Sequence, residues 1–111
     1  MKIQRRKSGD VVILDLEGKI LIGDDIADLR EAVDGLVRDK ENKVLLNFEQ
    51  VPYLDSTGLG EVVKSYTTIK RSGGMVKILN LSSKVKDLMT ITKLITVFET
   101  YDDEDQAVAS F

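Results

Sequence analysis

Residues 44–63 read VLLNFEQVPYLDSTGLGEVV. The first five, Val44-Leu45-Leu46-Asn47-Phe48, are almost continuously apolar, as in a strand covered on both faces. After a loop over 49–55, Leu59, Val62, Val63, Tyr66 and Ile69 recur at helical spacing. Lys70 and Arg71 suit the negative end of that helix, and Gly73-Gly74 stops it. A buried strand leading through a loop into a helix is half of a βαβ crossover, and the flanking sequence supplies the rest.

Upstream, residues 2–7 form a strand candidate, Ser8-Gly9-Asp10 a turn, and Val11-Val12-Ile13-Leu14-Asp15-Leu16 a second strand rich in branched residues. The tight connection implies an antiparallel hairpin. Ile26, Leu29, Val33, Leu36 and Val37 mark a helix, with Asp24 or Asp25 available to cap it. Downstream, Met75–Leu79 is a strand, Val85, Leu88 and Met89 mark a shorter helix, Thr96–Thr100 a last strand, and 103–111 a terminal helix with Ala107, Val108 and Phe111 inward. The order β-β-α-β-α-β-α-β-α predicts one α/β domain over residues 1–111. Its expected sheet is mixed, of four to five strands, with an antiparallel N-terminal hairpin and about four helices. Ligands and partners meet such sheets at the carboxyl ends of the strands. There the segments Leu21–Asp25 and 49–60 are expected side by side.

The 111 residues fit one domain able to bury a core without staples. Hydrophobic residues make up 42% and charged residues 32%, as in a folded globular chain. The net charge of −3 argues against direct nucleic-acid binding. The basic cluster Lys2, Arg5, Arg6 and Lys7 falls on the first strand and reads as solvated edge charge. There is no cysteine and no histidine. That removes disulfides, Cys/His zinc sites and histidine-based triads, leaves no metal or cofactor site to name, and is compatible with the cytoplasm. No apolar run reaches membrane-spanning length, and the first ten residues lack the apolar core of a signal peptide.

The Asp55-Ser56-Thr57 cluster admits several readings. Each residue is an ordinary helix N-cap, although three in a row exceed what a cap needs, and Gly58 and Gly60 cost helix stability unless something approaches closely. An aspartic protease would place glycine one residue earlier, in a β-rich chain. A phosphate-cradling loop would end in Gly-Lys-Ser/Thr, whereas Glu61 follows here. A hydrolase serine would need a histidine. The remaining reading is a phosphate acceptor: Ser56 at the positive end of a helix, where a phosphate is favoured by free N–H groups and the dipole. Asp24, Asp25, Asp55 and Glu61 would then crowd the same rim with negative charge.

The run Asp-Ser-Thr-Gly-Leu-Gly at 55–60 resembles the central signature of STAS domains, in particular the bacterial anti-sigma factor antagonists. The likeness extends to the element order, Leu16-Glu17-Gly18, Asn47-Phe48 and the Gly73-Gly74 turn. It implies a regulatory binding module rather than an enzyme. Ser56 would be phosphorylated by an anti-sigma factor that is itself an ATP-dependent serine kinase, the unphosphorylated form would sequester that kinase, and a serine phosphatase would reset the switch. Asp55, Thr57, Gly58 and Gly60 carry over as the surrounding contact surface, with Tyr53 beside them. The chain departs from the family after Gly18: Lys19-Ile20-Leu21 stands where many members have an early acid, and the acids come later, at Asp24 and Asp25. The run Ile20-Leu21-Ile22 could form a different partner-facing patch. Two other functions stay open: a STAS subunit of a stress-signalling or lipid-transport complex whose serine is never modified, and a small-ligand or nucleotide module using the 55–60 loop.

Overall fold

The structure is a computed structural model that describes residues 1–111. Five strands form one sheet in sequential order: β1 (Lys2–Ser8), β2 (Val11–Glu17), β3 (Lys43–Gln50), β4 (Met75–Leu79) and β5 (Thr100–Tyr101). β1 is antiparallel to β2, with Lys2 opposite Glu17 and Ser8 opposite Val11, and the remaining pairs are parallel. The helices are α1 (Asp24–Arg38), α2 (Ser56–Arg71), α3 (Ser83–Ile91) and α4 (Glu104–Ala109).

Sequential parallel strands joined by right-handed crossovers must carry their connecting helices on one side of the sheet. Accordingly α1, α2 and α3 share one face, over a core of 20 buried residues that includes Val12, Leu14, Leu16, Val44, Leu46, Phe48 and Ile78. The alternate positions Val11, Ile13, Leu45 and Leu79 face the other way and meet Ala107 of α4 in a much smaller cluster. The apolar run at 44–48 thus serves two cores, because alternate strand residues point to opposite faces.

Three details differ from the sequence expectation. Neither Asp24 nor Asp25 caps α1: the N-cap is Gly23, in a left-handed conformation (φ 114) that favours glycine, with the aspartates in the first turn. The last strand is only Thr100–Tyr101, preceded by a 3₁₀ turn over Leu94–Thr96. The alternation there imitated a strand, but Phe98 turns into the main core and pairing with β4 begins only where the Ile78 N–H donates to the Glu99 carbonyl. Three of the four basic residues of β1 are paired, and only Lys2 is merely solvated. Arg5 meets Asp39, Lys7 meets Glu41, and Arg6 bridges Asp15 on β2 and Glu104 on α4. These pairs cross-link the edge hairpin to its surroundings.

Phe48 is among the largest fully buried side chains and lies in the main core. Phe48→Ala is expected to lower unfolding stability by about 3–5 kcal/mol in urea titration, without changing the far-UV spectrum of the folded state.

Candidate functional site

Because β2 and β3 are parallel neighbours, the loops leaving their carboxyl ends emerge together. An isolated parallel bridge joins Ile20 to Leu54 beyond the strands proper. The Gly18 N–H donates to the Gln50 carbonyl at 2.9 Å, Ile20 N–H to the Tyr53 carbonyl at 3.2 Å, and Asp55 N–H to the Ile20 carbonyl at 3.3 Å. Ile20 and Leu54 are fully buried, so the apolar run 20–22 does not stand out as a whole. Ile20 is core, and Ile22 alone of the three is strongly exposed, at 73%.

Asp55 closes the arrangement. It is the N-cap of α2, in extended conformation, and one carboxylate oxygen accepts the Gly58 N–H at 2.7 Å. The other accepts the Ile22 N–H of the neighbouring loop at 3.0 Å. One side chain thus starts the helix and ties the two loops together. The Ile22 N–H first, and the Gly58 N–H second, hold this carboxyl below the usual carboxylate range.

Ser56 and Thr57 follow as the first two residues of α2, both exposed. Their backbone N–H groups bond to no backbone carbonyl, since the first N–H groups of any helix lack an intrahelical partner. The two glycines part company. Gly58 is buried, and a Cβ there would lie 2.1 Å from the Ile20 carbonyl oxygen. The neighbouring loop is therefore what approaches it, so Gly58 shapes the contact surface from beneath instead of forming part of it. Gly60 is exposed, with nothing within 4 Å of where a Cβ would stand, and leaves bare backbone on the surface. Tyr53 is 38% exposed, and the Lys84 ammonium sits 5.1 Å from its ring centroid.

The rim is less negative than the sequence suggested. Glu61 is buried and ion-paired with Arg30 of α1, so it does not reach the surface beside Ser56. Asp25 accepts the Leu21 N–H at 3.1 Å and also contacts the Met1 nitrogen. Asp24 is exposed, and no neighbour engages its carboxylate. Two features were beyond sequence reasoning, the Arg30–Glu61 pair and the Lys84–Tyr53 stack, because each joins residues from separate elements.

A STAS domain family model matches residues 2–107. The chain is 39% identical over 51 residues to the anti-sigma-B factor antagonist of Bacillus subtilis, a stretch covering 46% of this chain and 47% of that protein. The chain spans between about half and just under two thirds of the curated relatives it matches first. Among solved structures, a candidate anti-sigma factor antagonist from Thermotoga maritima superposes with a TM-score of 0.89 at 25% identity, covering 97% of this chain and 92% of that one. The Bacillus cell fate determinant SpoIIAA in its phosphorylated form shares the fold at 18% identity, with a TM-score of 0.74 over 98% of each chain.

The two glycines are expected to respond oppositely to alanine. Gly58→Ala forces the 20–22 loop away from α2 and destabilises by about 1–3 kcal/mol, while Gly60→Ala is neutral or stabilises by up to about 1 kcal/mol, both read by denaturant titration. The Asp55 clasp contributes fully above about pH 4 and is lost as pH falls through its lowered pKa. Asp55→Asn should therefore flatten the acid limb of the stability profile and leave its shape above pH 5 unchanged.

Proposed function

This chain belongs to the STAS domain family, and we propose that it acts as an anti-sigma factor antagonist, a non-catalytic module switched by phosphorylation of Ser56. In this reading the unmodified form binds an anti-sigma factor that is an ATP-dependent serine kinase, which releases a sigma factor. A serine phosphatase reverses the modification, and the cycle runs in the cytoplasm without a cofactor.

The observation that carries the reading is an exposed hydroxyl on the first residue of a 16-residue helix, at the carboxyl edge of the sheet. In the transfer, the Ser56 Oγ forms a bond to the γ-phosphorus of ATP, the bond from that phosphorus to its bridging oxygen breaks, and ADP leaves. The hydroxyl proton must pass to a base on the kinase. Asp55 is poorly suited to take it, because both its oxygens accept N–H groups and its pKa is held low. That supports a substrate and binding partner rather than an enzyme.

Phosphate at this position adds about −1.5 to −2 charges beside unpaired N–H groups and the positive helix end, a favourable setting of about 0.3–1 kcal/mol. The modification therefore leaves the fold intact and acts on whatever docks there. Tyr53, Thr57 and Gly60 supply the neighbouring contact surface. Of the two acids left open by the sequence, Asp24 is the one free to meet a basic group on the partner, since Asp25 already holds its own loop.

Incubation with ATP and the cognate kinase should add one phosphate to the intact mass, and Ser56→Ala should abolish it. No modification by any anti-sigma kinase of the same genome would favour an unmodified STAS subunit instead. Ser56→Asp is expected to melt within about 2 °C of wild type yet bind the kinase roughly a hundredfold more weakly by calorimetry. Asp24→Asn should weaken binding without moving the melting temperature.

A further inference from the structure

We propose that Ile22 is the apolar anchor through which the unphosphorylated domain docks, seated in an apolar pocket of its serine-kinase partner beside that partner's nucleotide site; this rests on the antagonist reading above. Single exposed aliphatic residues are common on protein surfaces, and exposure alone would say nothing. What sets Ile22 apart is how its backbone is held and where.

Three successive N–H groups are tied down. Ile20 donates to the Tyr53 carbonyl, Leu21 to the Asp25 carboxylate at 3.1 Å, and Ile22 to the Asp55 carboxylate at 3.0 Å. Gly23 then turns the chain sharply, with φ 114, into α1. The Ile22 side chain is consequently presented at 73% exposure from a loop with little freedom left to lose. A preorganised, β-branched side chain gives up little entropy when buried by a partner. Ile91 is equally exposed, at 79%, but it closes the last turn of α3, the end away from Lys84 and Tyr53.

Position gives the occupant. Ile22 is bonded through its own N–H to the residue immediately before Ser56. A partner that delivers a phosphoryl group to the Ser56 Oγ docks on the two loops this bond ties together, and Ile22 stands exposed on one of them. The same adjacency explains a switch: once Ile22 is seated in an apolar pocket, a phosphate on Ser56 would be held against a surface that has shed its water, with no room for its counter-charge.

The test uses the kinase that phosphorylates wild-type Ser56 as probe, with the variants Ile22→Ala, Ile22→Val and Ile91→Ala. Ile22→Ala should fold with unchanged melting temperature, bind the ADP-loaded kinase about ten- to a hundredfold more weakly, and raise KM for phosphorylation with kcat near wild type, as the loss of a contact made equally in the ground and transition states does. Ile22→Val should recover most of the affinity, and Ile91→Ala should match wild type. Equal binding by wild type and Ile22→Ala would overturn the anchor while leaving the antagonist reading standing. A wild-type chain that self-associates in sedimentation through Ile22, and loses this in Ile22→Ala, would assign the residue to a second copy and overturn it too. If wild type is neither bound nor phosphorylated, the antagonist reading itself fails, and the anchor with it.

Discussion

Two hydrogen bonds from one carboxylate hold the functional edge of this protein together. Asp55 accepts from Gly58 within its own helix and from Ile22 across the gap between two loops. The first bond satisfies one of the orphan donors that begin α2. The second fixes the loop after β2 against the loop after β3. The presentation of Ile22 follows from that clasp, and the backbone bridge between Ile20 and Leu54 beside it carries Ile20 over Gly58. A neutral or longer side chain could make one of these contacts, but an ionised aspartate reaches both N–H groups with two oxygens at short range.

The sheet order makes this edge accessible. With the strands in sequence order, right-handed connections stack α1, α2 and α3 on one face, and the starts of α1 and α2 fall next to one another. The body behind them is closed. Leu59 and Val62 of α2 are buried, and Glu61 is held by Arg30 across the α1–α2 contact. A charge buried this deeply is costly unless paired, so Glu61 is committed to helix packing and cannot also serve the surface. The exposed ring of Ile22, Asp24, Tyr53, Ser56, Thr57 and Gly60 is what remains.

This changes the electrostatic picture of a modification at Ser56. With Glu61 buried, and Asp25 and Asp55 occupied by N–H donors, Asp24 is the freely exposed carboxylate among the four acids expected there. A phosphate would enter a rim from which Glu61 is withdrawn but where Asp24 and the ionised Asp55 still carry negative charge, offset by unpaired backbone donors at the helix start. Under the proposed function, discrimination between the two forms arises in the complex, where the new charge must be desolvated.

Local signals in the sequence settled much of this. Alternation and helical spacing located β1 to β4 and the three main helices, because the apolar pattern has the period of the element that buries it. A cap somewhere within Asp55-Ser56-Thr57 and the neighbouring loops were legible too, since a helix start needs an acceptor and adjacent parallel strands must release their loops together; that Asp55 is the capping residue came from the structure. Thr96–Thr100 reads as a strand because alternation shows which residues turn inward, and Phe98 turns inward from a bend that follows the 3₁₀ turn rather than from a strand. The fates of Gly58 and Gly60, of Asp24 and Asp25, and of Glu61 were undecidable from order alone. Each pair or residue is chemically alike in the chain, and only the three-dimensional packing brings the Ile20 carbonyl over one glycine, the Leu21 N–H onto one aspartate and Arg30 onto the glutamate. The residue types therefore fixed which chemistry was available, and the tertiary contacts decided which groups were already spent inside the fold and which were left for another molecule.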